Sequence, residues 1–459
     1  MRYISTRGRT EPMGFSHAVL AGLAPDGGLL IPEHVPDVSA RLARWKRLDY
    51  TTLAEEIFRL YADIPASDLK PMIRDAYSSF DTGEVAPVIP VGGIHVLELF
   101  HGPTLAFKDV ALQWLGRLFE YIVRQWGARL NILAATSGDT GSAAIYGVRG
   151  RRNINIFVMH PYRRVSPIQE KQMTSVLDPN VFNIAVQGTF DDCQAIMKSI
   201  FRDLDFKQRY SLGAVNSVNW ARVLAQMVYY FYAGLRVLEH SGASQVRFAV
   251  PTGNFGDILA GYYAARMGLP IGKLILATNE NDILARFFNT GEYRRSEVVR
   301  TLSPAMDIQV ASNFERYLYY RLGEDPAHVR ELMERFDRTG EIRVPLRAGT
   351  VDPLFVSRSA DRAAILDTIR RYYEMHGCLL DPHTAVGVFV AEQFQAVDQP
   401  MICLATAHPA KFPEAVFEAV GRDIARHPVV DALRGKPTRC EVLPAEEQAI
   451  RDYITSHAC

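Results

Sequence analysis

Short apolar blocks recur along most of this chain, each followed by a longer block with apolar residues at helical spacing. RLNILAAT, NINIFVMHP, VFNIAVQG, QVRFAVPTG, KLILATNE and MICLATA are nearly continuous apolar runs. ALQWLGRLFEYIV, SAAIYGVRG, FDDCQAIMKSIFRDLDF, WARVLAQMVYYFYAGLRVLEH and ILAGYYAARMG have the spacing of helices. Strands that are apolar on both faces and alternate with helices predict parallel sheets covered on both sides.

The pattern divides the chain in three. Residues 1–90 read as a mainly helical N-terminal region. It has a short strand in MRYISTRG, then a helix, turn and strand in FSHAVLAGLAPDGGLLIP. Two amphipathic helices broken at Pro65 follow, and Pro87 and Pro90 mark its end. Residues 91–240 read as a first α/β lobe running from HVLELF to the long helix after NSVN. Residues 241–459 read as a second, interrupted at about 285–350 by a helical insertion with the charged pieces RRSEVVR and RLGEDPAHVRELMERFDRTGEIR. The tail after about 430 is polar and predicted helical.

Charge changes the picture mainly by exclusion. Among 459 residues, 51 basic and 51 acidic side chains cancel, which argues against nucleic acid or an anionic membrane as the main partner. Anion binding then has to come from a local site. The five cysteines are scattered without a CxxC pair, so no structural metal and no disulfide framework is predicted. Reduced thiols fit a cytoplasmic protein. MRYISTRGRTEPMG lacks the apolar core of a signal peptide, and no apolar run approaches a membrane span.

Four junctions carry candidate chemistry. In LFHGPTLAFKDV, Lys108 sits where a Gly/Pro loop enters a helix. Such a lysine is either solvated at the helix start or, desolvated beside Phe107, a Schiff-base former and proton carrier. Ser137-Gly138-Asp139-Thr140-Gly141 ends one apolar strand. It is either a nest for a carboxylate or phosphate or a plain helix cap. Asp139 would repel an anion there, so its side chain should turn toward a donor. Gly253-Asn254-Phe255-Gly256-Asp257 ends another strand and opens a helix, as a phosphate cradle does. Thr406 ends a third strand, with a hydroxyl facing the same crevice or satisfying its own loop. Open parallel sheets bind ligands beyond the carboxyl ends of their strands. A lysine, a phosphate cradle, a second anion loop and a hydroxyl for a ring nitrogen are together what pyridoxal 5'-phosphate requires.

At this point the residues resemble a known family. YISTRG, APDGGLLIPE, ELFHGPTLAFKDVALQ, ATSGDTGSAAIYG, SPIQEKQM, NSVNWARVLAQM, VPTGNFGDILAGY, ATNENDIL, LSPAMDI, ASNFER and TAHPAKFPEAV are similar to segments of the threonine synthases, in the branch that includes fungal and many proteobacterial enzymes. The resemblance covers nearly the whole chain. It implies a fold type II pyridoxal phosphate enzyme similar to the tryptophan synthase β subunit, with two open twisted parallel-sheet lobes and the N-terminal region beside them.

The resemblance also implies roles. Lys108 is the expected Schiff-base lysine. Gly253, Asn254, Phe255, Gly256 and Asp257 are the expected cofactor-phosphate loop, and Thr406 the partner of the pyridine nitrogen. Ser137, Gly138, Asp139, Thr140 and Gly141 are expected to face the substrate. Arg164 and Arg222, with Ser166, Asn216 and Asn219, are candidates for the substrate phosphate, each arginine being otherwise a structural ion pair. His101 either touches substrate or fixes its loop. The implied reaction converts O-phospho-L-homoserine and water to L-threonine and phosphate. The chain would be a monomer or small homo-oligomer with a small-molecule substrate. Two alternatives stand: a phospho-lyase releasing 2-oxobutyrate from the same substrate, and an inactive, cofactor-free binding protein. A nucleotide-binding fold is disfavoured, because neither GxGxxG nor GxxxxGK[ST] occurs where it would have to.

Overall fold

The computed structural model describes residues 1–459, and its apolar blocks form two open parallel sheets. The elements that position the site are β1 (Ile94–Glu98), α1 (Lys108–Gln125), β2 (Leu130–Ala135), α2 (Asp139–Val148), β3 (Ile154–Pro161), α3 (Pro167–Thr174) and β4 (Val181–Gln187). They continue with α4 (Trp220–Ser241), β5 (Val246–Pro251), α5 (Gly256–Arg266), β6 (Ile271–Thr278), β7 (Phe355–Ser359) and β8 (Met401–Ala405).

One sheet has the order β4–β3–β2, all parallel, with short strands at its edges: Glu441–Pro444 beside β4 and Leu212–Gly213 beside β2. The other has the order β7–β6–β5–β8–β1 in parallel, closed by the antiparallel edge strand Val88–Val91. Every residue of β8 is buried, and so are all but one of β2, β3 and β5. That explains their unbroken apolar sequence.

Sheet membership departs from the boundaries drawn on the sequence. HVLELF, assigned to the first lobe, pairs as β1 with β8 of the second, in the register Ile402↔His95 to Ala405↔Glu98. Glu441–Pro444, in the tail predicted to be helical, pairs with β4 of the first lobe before the helix Glu447–His457. The chain therefore crosses between the sheets at α1 and returns at its end. The insertion is helical at Ile283–Thr290, Phe314–Arg321 and Pro326–Thr339, but includes a two-stranded pairing of Glu292–Arg294 with Glu341–Arg343.

The N-terminal region shares the main core. Its strands Arg2–Ser5, Met13–Gly14 and Leu30–Pro32 form an antiparallel sheet. Helices Tyr50–Tyr61 and Ala66–Tyr77, separated at Pro65, turn their apolar stripes inward. Phe58 packs at a tilt against Trp114 of α1 with ring centroids 4.1 Å apart, and Tyr61 meets Trp220 of α4 at 5.7 Å. Burying one such side chain contributes about 1.5–3 kcal/mol. Helices α1 and α2 approach backbone to backbone: a Cβ on Gly116 would run into the Gly147 carbonyl, and one on Gly147 into that of Leu112. This locks together two helices whose N-termini carry Lys108 and Asp139. No helix is long and apolar enough to cross a membrane.

Candidate active site

The segment before Lys108 is stitched to the segment after β8. Phe107 donates its amide to the Thr406 carbonyl at 2.9 Å, His408 donates to Leu105 at 3.1 Å, and Ala106 bridges Ala407. Leu105 takes a left-handed backbone (φ +60°) to make this turn. Asp109, in the first turn of α1, accepts from the Thr104 amide at 2.8 Å and the Thr104 hydroxyl at 2.9 Å, so the loop closes on its own helix. Burial pushes the Asp109 carboxyl up to about 6. Thr406 lies buried next to this stitch, and no group in the chain meets its hydroxyl.

His101 braces the same loop. Its Nδ1 meets Asp81 at 2.7 Å and its Nε2 meets Glu98 at 2.8 Å. Burial opposes its charge, but the two carboxylates outweigh burial and raise its pKa. With both ring nitrogens engaged, the fixing role is the one this geometry carries.

Gly253 to Asp257 form the junction of β5 and α5, and none of their five amides has an acceptor within the chain. Phe255 has φ +62°, a strain of about 1–3 kcal/mol for a residue with a Cβ. Its ring is held among Phe288, Phe314, Tyr317 and Phe355, so what it offers the loop is its amide. A Cβ on Gly253 would lie 3.0 Å from the Ala305 carbonyl, and one on Gly256 3.2 Å from Asn313. The loop is held from behind by Asn313, whose amide and side chain both donate to the Asn254 carbonyl at 3.1 and 3.2 Å. Ser312 donates to Asn254 Oδ1 at 3.2 Å and meets Ser217 at 2.7 Å. The Asp257 carboxyl turns away, accepting from Tyr229 at 2.6 Å and Tyr230 at 2.9 Å. Burial pushes it up to about 7, although the two tyrosines pull it down. A carboxyl about half protonated near pH 7 and turned away onto two tyrosines repels an anion at this helix start less than an ordinary aspartate would.

Ser137 to Gly141 form the junction of β2 and α2. Thr136 Oγ1 accepts from the amides of Gly138 at 3.0 Å and Gly141 at 2.9 Å, which leaves those of Ser137, Asp139 and Thr140 free. Gly138 has φ +147°, and a Cβ there would strike the Gln169 side chain. Asp139 does turn toward donors. Its Oδ1 accepts from Lys411 and from Gln169, both at 2.7 Å, and its Oδ2 lies 3.7 Å from Lys108 Nζ. Burial would raise this carboxyl, but Lys411 and Lys108 hold it well below the usual carboxylate range. Burial lowers the Lys108 pKa, Asp139 raises it, and the cations Lys411 and Arg222 lower it further. The Lys108 ammonium lies 5.7 Å from the centre of the Phe107 ring.

The remaining candidates divide. Arg222 is buried on α4, with Nε and Nη1 unpartnered, and burial lowers its pKa to about 10. One turn along α4, Gln226 has an unpartnered Oε1, which would lie 3.9 Å from a Cβ on Gly256. Helix α4 therefore carries Arg222, which acts on Lys108, and Gln226, beside the glycine loop, about 6 Å apart along its axis. Asn216 has a buried, unpartnered Oδ1. Asn219, by contrast, is fully used: it caps α4 through Ala221 at 3.0 Å and donates to Val19 at 2.8 Å. Ser166 caps α3 through Gln169, which links it to Asp139. Arg164 is exposed on the loop before α3 and forms no ion pair, so the buried centre does not include it.

Lys411 is the side chain that reading the sequence missed. Only its place in TAHPAKF, between Ala410 and Phe412, hinted at burial. Ser312 and Asn313 lie in ASNFER, which carries part of the family resemblance but was given no role.

These residues fit pyridoxal phosphate on structural grounds. The unpartnered guanidinium nitrogens of Arg222 and the five free amides of the glycine loop are donors for an anion, and Lys108 is a buried amine that feels the charge of Arg222. Similar proteins agree. Family models match in three parts: "Threonine synthase N terminus" at residues 2–77, "Pyridoxal-phosphate dependent enzyme" at 89–403, and "Threonine synthase, C-terminal" at 384–454. A threonine synthase of Schizosaccharomyces pombe is 48% identical, covering 90% of this chain and 88% of its own. One of Methylobacillus glycogenes is 45% identical over 100% of both chains. The crystal structure of a pyridoxal-phosphate-bound threonine synthase from Brucella melitensis superposes with a TM-score of 0.95 at 44% identity, covering 100% of this chain and 99% of that one. The chain belongs to the threonine synthase family of fold type II pyridoxal-phosphate-dependent enzymes.

Proposed function

We propose that this enzyme converts O-phospho-L-homoserine and water into L-threonine and phosphate, with Lys108 as the lysine that holds the cofactor and moves the protons. The reading rests on a buried lysine beside a carboxylate, an unpaired buried guanidinium that acts on that lysine, and a loop of five free amides at the start of α5. When bound, pyridoxal phosphate supplies the electron sink that makes protons on the substrate's carbon chain acidic.

The chain's own residues do the rest. The amides of Gly253 to Asp257, at the positive end of α5, hold the cofactor phosphate. Thr406 offers a hydroxyl to the ring nitrogen. Lys108, once the substrate's amine has taken its place, is a free amine beside the substrate. Its burial favours the neutral form that can accept a proton. The net change needs protons removed at Cα and Cβ, phosphate expelled from Cγ, water added at Cβ, and protons returned at Cγ and Cα. One lysine within reach of these carbons serves several of those transfers. Ser137, Asp139 and Thr140 keep free amides for the substrate's carboxylate. Arg222 offers a guanidinium fork to the substrate phosphate, and Arg164, exposed on the loop before α3, is a second candidate. Asn216 adds an amide group. The balanced charge and the unpaired cysteines support a small-molecule enzyme of the cytoplasm; a monomer or small homo-oligomer is the proposed state.

The test is product analysis. Wild type incubated with pyridoxal phosphate and O-phospho-L-homoserine should release threonine and phosphate in equal amounts, and Lys108→Ala neither. Release of 2-oxobutyrate without threonine would overturn the assignment in favour of a phospho-lyase.

A further inference from the structure

The centre of the site holds three cations, more positive charge than its carboxylates balance. Lys108 at the start of α1, Lys411 after β8 and Arg222 on α4 all bear on the same small volume, and Asp139 at the start of α2 is the anion among them. Asp109, raised only to about 6 and so still largely ionised at neutral pH, feels the charge of Lys411, but its oxygens are bonded to Thr104 and Gln113 and it pairs with neither lysine. Gln169 from α3 is the remaining polar group on Asp139.

The two lysines use Asp139 differently. The side chain of Lys411 is 0% exposed and spends its ammonium on Asp139 Oδ1 at 2.7 Å and on the Thr104 carbonyl at 2.7 Å. Gln169 fills the same oxygen. Lys108, with 13% exposure, meets the other oxygen at 3.7 Å, beyond hydrogen-bond range. One side of the carboxylate is thus saturated by a fixed cation, and the other is left to orient Lys108 loosely.

A lone buried carboxylate beside Lys108 would favour its protonated form, and a locked ammonium is no base. Resting on the role proposed for Lys108, we infer that Lys411 is a positioning residue of the reaction: it carries the counter-charge of Asp139, so that Asp139 orients Lys108 without holding it as an ammonium. The same ammonium ties the Thr104 carbonyl to the Asp139 loop, so a purely structural staple is the rival role. Both roles predict lower activity when Lys411 is removed. Only the electrostatic role moves a titration.

The experiment titrates the visible absorbance of the cofactor-loaded protein, which reports the charge on the nitrogen that Lys108 contributes to its cofactor linkage. In Lys411→Met, the midpoint should rise by about one pH unit, equivalent to about a tenfold shift in that protonation equilibrium. The acid limb of kcat/KM should move in the same direction. Lys411→Arg keeps the charge and should keep the wild-type midpoint. Asp139→Asn/Lys411→Met, lacking both charges, should return it close to wild type. A Lys411→Met protein that melts normally and loses activity evenly across pH, with its midpoint unmoved, would overturn the inference and leave a staple. If Lys411→Met does not fold, Asp139→Asn decides: its midpoint should fall, and an unmoved midpoint contradicts the account. A titrating band that survives in Lys108→Ala would instead refute the role of Lys108 itself.

Discussion

Two glycine-bearing loops open helices at the site, and in sequence they look alike. In the molecule they are built oppositely. At 253–257 all five amides point at nothing in the chain, and the one acidic side chain is turned back onto Tyr229 and Tyr230. At 137–141 Thr136 consumes two of the amides, and the acidic side chain faces the centre, held by two lysines. The first is an open set of donors suited to a dianion. The second is a partly satisfied turn that presents a charge. What separates them is the use of the donors: one leaves every amide open, as the proposed hold on a phosphate requires, whereas the other spends part of its donors on its own capping.

The difference can be broken by substitution. Gly253→Val has the largest expected effect. Its Cβ already lies 3.0 Å from the Ala305 carbonyl, and two further methyl groups overfill the cradle. Overpacking by about 3 kcal/mol weakens cofactor binding about 100-fold, measurable by absorbance titration with pyridoxal phosphate. Unchanged affinity would place the phosphate elsewhere. Next comes Arg222→Met. Loss of a charge-assisted contact of about 1.5–3 kcal/mol lowers kcat/KM about 10- to 150-fold. The same change removes an unpaired buried charge, so the ligand-free protein should melt higher than wild type. A drop in both activity and melting temperature would mean that Arg222 is structural.

Thr136→Val tests the second loop. It strips the cap from Gly138 and Gly141, costing about 0.5–2 kcal/mol of stability. It should raise KM while leaving cofactor affinity intact. A loss of cofactor instead would erase the distinction between the loops. The smallest effect belongs to His101, which braces the Lys108 loop from outside both. Its raised pKa means that its ion pairs stabilise the fold fully below the unfolded value, near pH 6.5, and lose that contribution as pH rises through the folded value. The melting difference between wild type and His101→Gln should therefore be larger at pH 6 than at pH 9, by a few degrees at most. A constant difference would show that the histidine acts by packing alone.

Local pattern made much of this legible. The apolar runs of β2 to β6 and β8 read as buried strands because both faces are covered, and the three junction loops stand out by their glycines and hydroxyls. Sheet membership was not legible. Nothing in HVLELF says that it pairs with a strand three hundred residues later (about 300, from the register His95↔Ile402), since partner choice depends on long-range packing rather than on periodicity. The same holds for Glu441–Pro444, too short and polar to announce itself. Asp139 could be predicted to seek a donor, because a carboxylate conflicts with an anion nest. That the donor would be Lys411 could not, because the two meet only in the folded chain. Asn219 shows the reverse limit: a polar residue beside a candidate site was spent on capping its own helix.

The most direct test of the account uses the two buried lysines that share Asp139. The cofactor-loaded protein is reduced with borohydride, digested, and the pyridoxyl-bearing peptide sequenced by mass spectrometry. The account predicts the label on Lys108, within LAFKDV. A label on Lys411 would contradict it, because the site would then be built around the lysine assigned here as counter-ion.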